Sequence, residues 1–226
     1  MISFDNTESA FAYKTSKELK KAKFLFYSMG IKWLAKLGTR LTPWAIKVHL
    51  PLNGLIRNTI FKQFVGGETL QETAKVAYKL AQYNVQVILD YGLEGKEGED
   101  NFDTVANEFI KVIQYAAAQP NIPFMSIKLT GFARFSLLEK LDTVADNKSG
   151  VEGRINIDVL DAVEKEEWLR VVNRLIKICD TAQRNRIGVL VDAEETWIQD
   201  PVDALTMQMM EKYNTTNVVV LSLIHI

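Results

Sequence analysis

From Phe64 onward, short apolar runs alternate with stretches of helical periodicity. Unbroken Val/Ile/Leu-rich runs read as strands buried on both faces, and apolar positions three and four apart read as amphipathic helices. On this basis Phe64-Val65 closes a first strand, ending in Gly66-Gly67-Glu68. Thr69–Ala81 is a helix with Leu70, Ala74, Ala77 and Leu80 on one side. Val85–Leu89 is a second strand, ending in Asp90-Tyr91-Gly92. Phe102–Ala118 is a helix that Pro120 and Pro123 bring to a stop. Phe124–Leu129 is the third strand, followed by Thr130-Gly131. Helices are predicted at Phe135–Val144 and Leu160–Ala182, with the polar loop Asp146–Gly153 between them. Ile187–Val191 is the fourth strand, Pro201–Tyr213 a helix with proline near its first turn, and Asn217–Leu221 the fifth strand.

Strand and helix in alternation imply an α/β fold with a parallel sheet and right-handed crossovers. No G-x-G-x-x-G follows the first strand, so a barrel is preferred over a doubly wound sheet. A closed barrel of this kind needs eight strand–helix units. The expectation is therefore a partial (βα)8, TIM-like barrel of about five parallel strands. Residues 1–58 form a helical arm before it, and 59–220 the incomplete barrel. Residues 221–226, Leu-Ser-Leu-Ile-His-Ile, look like a translated sequencing adaptor and are expected to be a non-native tail on a reading frame cut short. A barrel left open in this way has exposed edge strands that favour aggregation.

The arm is basic, with Lys14, Lys17, Lys20, Lys21, Lys23, Lys32 and Lys36, and Thr15-Ser16-Lys17-Glu18 fits a helix start. Two readings follow: contact with an anionic membrane surface, or a solvated helix face packed on the main domain. Elsewhere the charge is balanced. A net charge of −1 over 226 residues supplies no global field for nucleic acid. The lone Cys179 excludes an internal disulfide framework and is most simply a small core residue. With His49 and His225 as the only histidines, a histidine-based metal site is not expected.

Parallel strands share a direction, so the residues at their carboxyl ends gather at one rim, where α/β proteins bind ligands. That set is Gly66, Gly67 and Glu68; Asp90, Tyr91 and Glu94; Lys128 and Thr130; and Asp192, Glu194 and Glu195. A lysine among carboxylates suits a zwitterionic or anionic small molecule. Lys128 lies on an otherwise apolar strand, where a lysine needs a partner. An ion pair with Asp90 or Asp192 is the structural alternative to a ligand.

Four segments carry a resemblance: Phe64–Thr69, Ile88–Gly95, Met125–Gly131 and Val191–Gln199. In this order they resemble the flavin-dependent proline dehydrogenase family, over about Phe64 to Val220. The helical insertion before the fourth strand is similar to the stand-alone, mitochondrial-type branch. The resemblance implies a distorted (βα)8 barrel, FAD as cofactor, L-proline as substrate and Δ1-pyrroline-5-carboxylate as product. It also implies a membrane quinone as electron acceptor. By position, Lys128 matches a lysine that holds the substrate carboxylate, Asp192 the strand-end aspartate that orients the basic residues around the substrate, and Asp90 an acid just behind them. Lys128 and Asp192 are thus the catalytic candidates, and Lys128, Asp192 and Asp90 the substrate-binding ones. Flavin contacts are expected beyond the end of this chain, and no metal is expected. The expected location is cytoplasmic, with peripheral contact at the inner membrane. The chain as written is expected to bind FAD poorly and to oxidise no proline. The alternatives are a non-catalytic half-barrel that serves as an association surface, and a metal-dependent lyase using Asp192 and Glu194.

Overall fold

A computed structural model describes residues 5–48, 53–92, 97–142 and 155–223. The contacts divide the chain into two compact units that meet at Val85/Gln86.

The first unit is helical. It comprises α1 (Glu8–Phe11), α2 (Ser16–Gly30), α3 (Lys32–Lys47), α4 (Asn53–Ile56), a π-helical turn (Arg57–Phe61), α5 (Lys62–Phe64) and α6 (Leu70–Ala81). Helix α2 starts where Thr15 and Glu18 form a reciprocal cap. The Thr15 hydroxyl accepts from the Glu18 amide, and the Glu18 carboxylate accepts from the Thr15 amide. Two of the helix's orphan donors are thereby satisfied. Lys79 reaches Glu18 at 3.7 Å, and Phe26 meets the ring of Phe64 edge-on at 5.8 Å. The strand expected at Phe64-Val65 does not form. Phe64 ends α5, and the Val65 amide bonds back to the Phe61 carbonyl at 2.8 Å. Two apolar residues with helix on their amino-terminal side complete that helix more readily than they start a strand. Gly66, Gly67 and Glu68 therefore lie outside the sheet.

The second unit carries a four-stranded, all-parallel sheet: β1 (Ile88–Asp90), β2 (Phe124–Ile127), β3 (Gly188–Val191) and β4 (Val220–Ser222). Helix α7 (Glu99–Ala117) connects β1 to β2, and α10 (Gln199–Tyr213) connects β3 to β4. Between β2 and β3 run a 3-10 turn (Leu129–Gly131), α8 (Phe135–Asp142), a second 3-10 turn (Ile157–Val159) and α9 (Ala162–Asn185). Spatial order follows chain order, β1-β2-β3-β4. That is the order of a barrel arc; a doubly wound sheet reverses at a switch point. The strands are shorter than their apolar runs. Val85, Gln86 and Val87 precede β1, and Val218, largely exposed, precedes β4. Strand β4 takes in Leu221 and Ser222. Glu94, His49, His225, the loop Asp146–Gly153 and the end of the helix predicted to Val144 lie outside the described residues.

The registers assign every strand residue to a face, because successive side chains alternate. Leu89, Met125, Val189 and Val220 align across the sheet, as do Ile127 and Val191, and all are buried. Helices α7, α9 and α10 pack on β2, β3 and β4. The opposite face shows Ile88, Phe124 and Gly188, then Asp90, Ser126, Leu190 and Leu221. It is less covered: Ile88 is 53% exposed and Leu221 half-buried. The Phe124 ring lies across Gly188, where an added Cβ would come within 2.3 Å of it. Glycine here gives the neighbouring aromatic its place.

Arg174 of α9 is buried and fully engaged. It donates to Asp103 at 2.7 Å, to the Glu99 carboxylate and to the Phe132 carbonyl at 3.3 Å, with its guanidinium over the Phe102 ring. One cation thus ties α9 to α7 and to the turn after β2. Cys179 is a buried core residue whose thiol is pushed up to about 12, chiefly by burial, which keeps it an unreactive thiol.

Candidate functional site

The site is built at the carboxyl ends of β1, β2 and β3. Asp90 closes β1 and pairs in register with Ser126 of β2. Lys128 sits one position past the last β2 pair, with extended backbone (φ −117°, ψ 136°). Asp192 sits one position past the last β3 pair, and its amide continues the ladder to the Ile127 carbonyl at 2.9 Å. Alternation therefore puts Asp90, Ser126, Lys128 and Asp192 on the same, less covered face. A side-chain contact bears this out: the Ser126 hydroxyl donates to Asp192. Asp90 is exposed, Lys128 and Asp192 are half-buried, and Ser126 is buried.

The three residues singled out from sequence are thus brought to one rim. Ser126 was missed, although it lies inside the Met-Ser-Ile-Lys segment. Its signal was parity, since it stands two residues before Lys128 on a strand and must share its face.

A second hydrogen-bond chain stands beside the first. The Thr130 amide and hydroxyl both donate to the Glu194 carboxylate, at 3.0 and 2.5 Å. The Glu194 amide donates to Gln199 at 2.7 Å, and the Gln199 amide group to Asp203 at 2.7 Å. These bonds fasten the turn after β2 to the loop after β3. Lys128 and Asp192 are anchored on those two segments. Burial pushes the Glu194 carboxyl above its usual range against the lowering effect of the Thr130 bonds, and Glu195 adds repulsion. Glu195 itself is exposed.

Asp192 and Glu194 hold different partners, a serine and a threonine. Among the described residues no group of three or more acidic, histidine or cysteine side chains is gathered as metal ligands. Among the same residues, no helix is long and apolar enough to cross a membrane.

Comparison with known proteins adds a family. Among curated proteins, "Proline dehydrogenase 1, mitochondrial" of Dictyostelium discoideum is 31% identical over 188 residues, covering 73% of this chain and 33% of that protein. "Carbapenem antibiotics biosynthesis protein CarD" of Pectobacterium carotovorum is 28% identical, over 82% of this chain and 46% of its own length. "Hydroxyproline dehydrogenase" of Xenopus laevis is 26% identical, over 90% and 48%. The chain spans a third to a half of the length of these relatives. The family model described as proline dehydrogenase matches residues 73–221, which takes in β1 to β3, β4 up to Leu221, and both hydrogen-bond chains. The chain therefore belongs to the proline dehydrogenase family.

Proposed function

We propose that this chain is the substrate-gripping portion of an L-proline dehydrogenase that produces Δ1-pyrroline-5-carboxylate, with FAD as redox group and a membrane quinone as electron acceptor. The observation that carries the reading is the gathering of Asp90, Ser126, Lys128 and Asp192 on one sheet face at the strand ends.

Lys128 holds the substrate carboxylate by a charge-assisted hydrogen bond. Asp192, itself held by the Ser126 hydroxyl, stands at the matching position on the next strand and orients the Lys128 side chain. Asp90 lies across the sheet from them. Oxidation at a ring carbon next to nitrogen requires the neutral amine. A cation at the carboxylate end favours that form by disfavouring the ammonium. Clamping the carboxylate also fixes the ring for attack.

FAD, when bound, supplies the hydride acceptor. A flavin dinucleotide also needs cations or convergent backbone amides for its pyrophosphate. The described strand ends offer one ammonium among carboxylates, which fits an amino-acid carboxylate and not a pyrophosphate. This chain is therefore expected to bind FAD weakly and to leave proline unoxidised. A purified protein that came out yellow and reduced a dye with proline would overturn that expectation.

The substrate reading is tested by titrating L-proline into the 226-residue protein and following backbone amide shifts. Shifts at Ser126, Lys128 and Asp192 are expected, and Lys128→Met should abolish them. Cyclopentanecarboxylate should compete weakly, and pyrrolidine, which has no carboxylate, should not. Identical binding by wild type and Lys128→Met, or shifts confined to other residues, sinks the reading.

A further inference from the structure

Glu194 stands at the strand-end rim with no part in the substrate grip described above, yet its bonds converge on the backbone that carries Lys128. The Lys128 α-carbon lies between two rigid peptide planes, so fixing both planes fixes the direction in which its side chain leaves the chain. The plane before it is held by the sheet, since the Ile127 carbonyl accepts from the Asp192 amide at 2.9 Å. The plane after it opens the 3-10 turn Leu129–Gly131, where the Lys128 carbonyl accepts from the Gly131 amide at 3.1 Å. The first amides of a helical turn have no partner inside it. Glu194 supplies one from the loop after β3. Its carboxylate accepts from the Thr130 amide at 3.0 Å and from the Thr130 hydroxyl at 2.5 Å. Burial raises the Glu194 pKa, and hydrogen bonds from Thr130 and from the Leu129 amide pull against that rise. One carboxylate thus draws on both amides that follow Lys128.

Beyond the turn, packing takes over. Leu129 and Phe132 are fully buried, and a Cβ added at Gly131 would lie 3.3 Å from the Val105 side chain of α7. Glu194 is itself held in place, because its amide donates to Gln199 in the first turn of α10 at 2.7 Å. We propose that Glu194 is a positioning residue for substrate recognition: it caps the turn after β2 and thereby aims the Lys128 ammonium at the substrate carboxylate. The inference rests on the L-proline reading above, and gives the accuracy of that grip to a side chain that does not touch the substrate. A carboxylate accepts from an amide and a hydroxyl at once. Glutamine can make the same two links, with its oxygen on the Thr130 amide and its nitrogen donating to the hydroxyl. Leucine can make neither.

The test is titration of the 226-residue protein with L-proline and with L-prolinamide, following the amide shifts of Ser126, Lys128 and Asp192. In Glu194→Leu the Kd for L-proline should rise about tenfold, the worth of one charge-assisted hydrogen bond made in poor geometry. L-Prolinamide has no carboxylate for Lys128 to grip, so its weaker binding should not change. The preference for L-proline should therefore shrink by the same factor. A side chain that served stability alone would weaken both ligands together. Glu194→Gln should return L-proline binding to near the wild-type value. Thr130→Val keeps the amide link and loses the hydroxyl, so a smaller rise, about threefold, is expected. That variant decides the matter if Glu194→Leu fails to fold. Wild-type affinity for L-proline in Glu194→Leu or in Thr130→Val overturns the inference. Equal losses for the two ligands, or a Glu194→Gln protein as weak as Glu194→Leu, do the same. A wild-type protein that binds no L-proline sinks the substrate reading itself; one that binds while the variants bind equally well sinks only the part given to Glu194.

Discussion

The two units of this chain hold their helices by different means. In the first unit, among the described residues, the buried side chains are those of Ala45 and Ala77. Its large apolar residues, Phe24, Tyr27, Trp33 and Trp44 among them, stand in solvent. In the second unit Phe102, Phe109, Phe132, Leu175, Ile178 and Met125 are buried between α7, α9 and the sheet. A helix can be specified by caps, propensity and surface ion pairs, or by an apolar face in a packed core. The first unit uses the former means and the second the latter. Only the latter positions side chains finely enough to assemble a site.

The sharpest way to break the comparison is to truncate one aromatic in each unit. Phe132 is fully buried and meets Phe109 edge-on at 6.1 Å. Phe132→Ala should cost about 3–5 kcal/mol, as transfer and cavity penalties combine. Phe24→Ala, at a position 73% exposed, should move the urea midpoint by no more than about 0.5 kcal/mol equivalent. Equal losses from the two changes would show that the first unit has a core after all.

Next in size is the buried cation. Arg174→Met removes the link from α9 to Asp103, Glu99 and the Phe132 carbonyl. Asp103 and Glu99 keep access to water, with side chains 63% and 38% exposed, so neither is left as a buried bare charge. A loss of about 2–4 kcal/mol is expected, mostly from forfeited charged hydrogen bonds. By contrast, Arg57→Met breaks bonds of 3.0 and 2.6 Å to Glu68 and Glu72, with all partners at the surface. It should cost at most about 1 kcal/mol. Denaturant melts of the two variants check the ratio.

How far the chain could be read in advance follows the same division. The helix predicted at Thr69–Ala81 forms at Leu70–Ala81, and Thr69, placed just before it, caps it by accepting from the Glu72 amide. The apolar runs Phe124–Leu129 and Ile187–Val191 became β2 and β3 because apolar runs of strand length met burial there. Phe64-Val65 failed because two apolar residues carry no period, and the helix before them decided their conformation. The site was legible wherever strand direction alone decided it, as for Asp90, Lys128 and Asp192. Ser126 against Asp192, and Thr130 against Glu194, depend on register between strands far apart in sequence. One chain without a pairing scheme does not reveal register.

The cap pair separates the units at about the 1 kcal/mol level. Helices α2 and α9 both begin with a reciprocal capping box, Thr15 with Glu18 and Asp161 with Glu164. Thr15→Ala and Asp161→Ala should each remove about 0.5–2 kcal/mol of helix stability. The readouts should differ. Helix α2 has no buried residue, so Thr15→Ala should lower helical ellipticity before global unfolding starts. Helix α9 is held by Trp168, Val171, Leu175 and Ile178, so Asp161→Ala should shift the midpoint and leave native ellipticity intact. Matching loss of native ellipticity in both would mean that α9 is also held locally.

The smallest effect has opposite signs in the two units. The Glu18 carboxyl is held below its ordinary value, first by the Thr15 amide bond and then by the Thr15 hydroxyl. Its ionised form is thus preferred in the folded protein. That stability is present above the ordinary value of about 4.5 and is lost as pH falls through the lowered one. Glu194 is raised, by burial first. The native state then binds its proton more tightly than the unfolded chain does. Stability falls as pH rises from about 4.5 through the raised value, and the penalty persists above it. Glu18→Gln should therefore flatten the acid-side loss measured by α2 ellipticity. Glu194→Gln should flatten a decline on the other side, measured by the global midpoint, while keeping an acceptor for the Thr130 amide. A Glu194→Gln protein whose midpoint still declined over that window would show that another group is responsible. The bonds from Thr130 would then serve the geometry of the two loops without setting the charge between them.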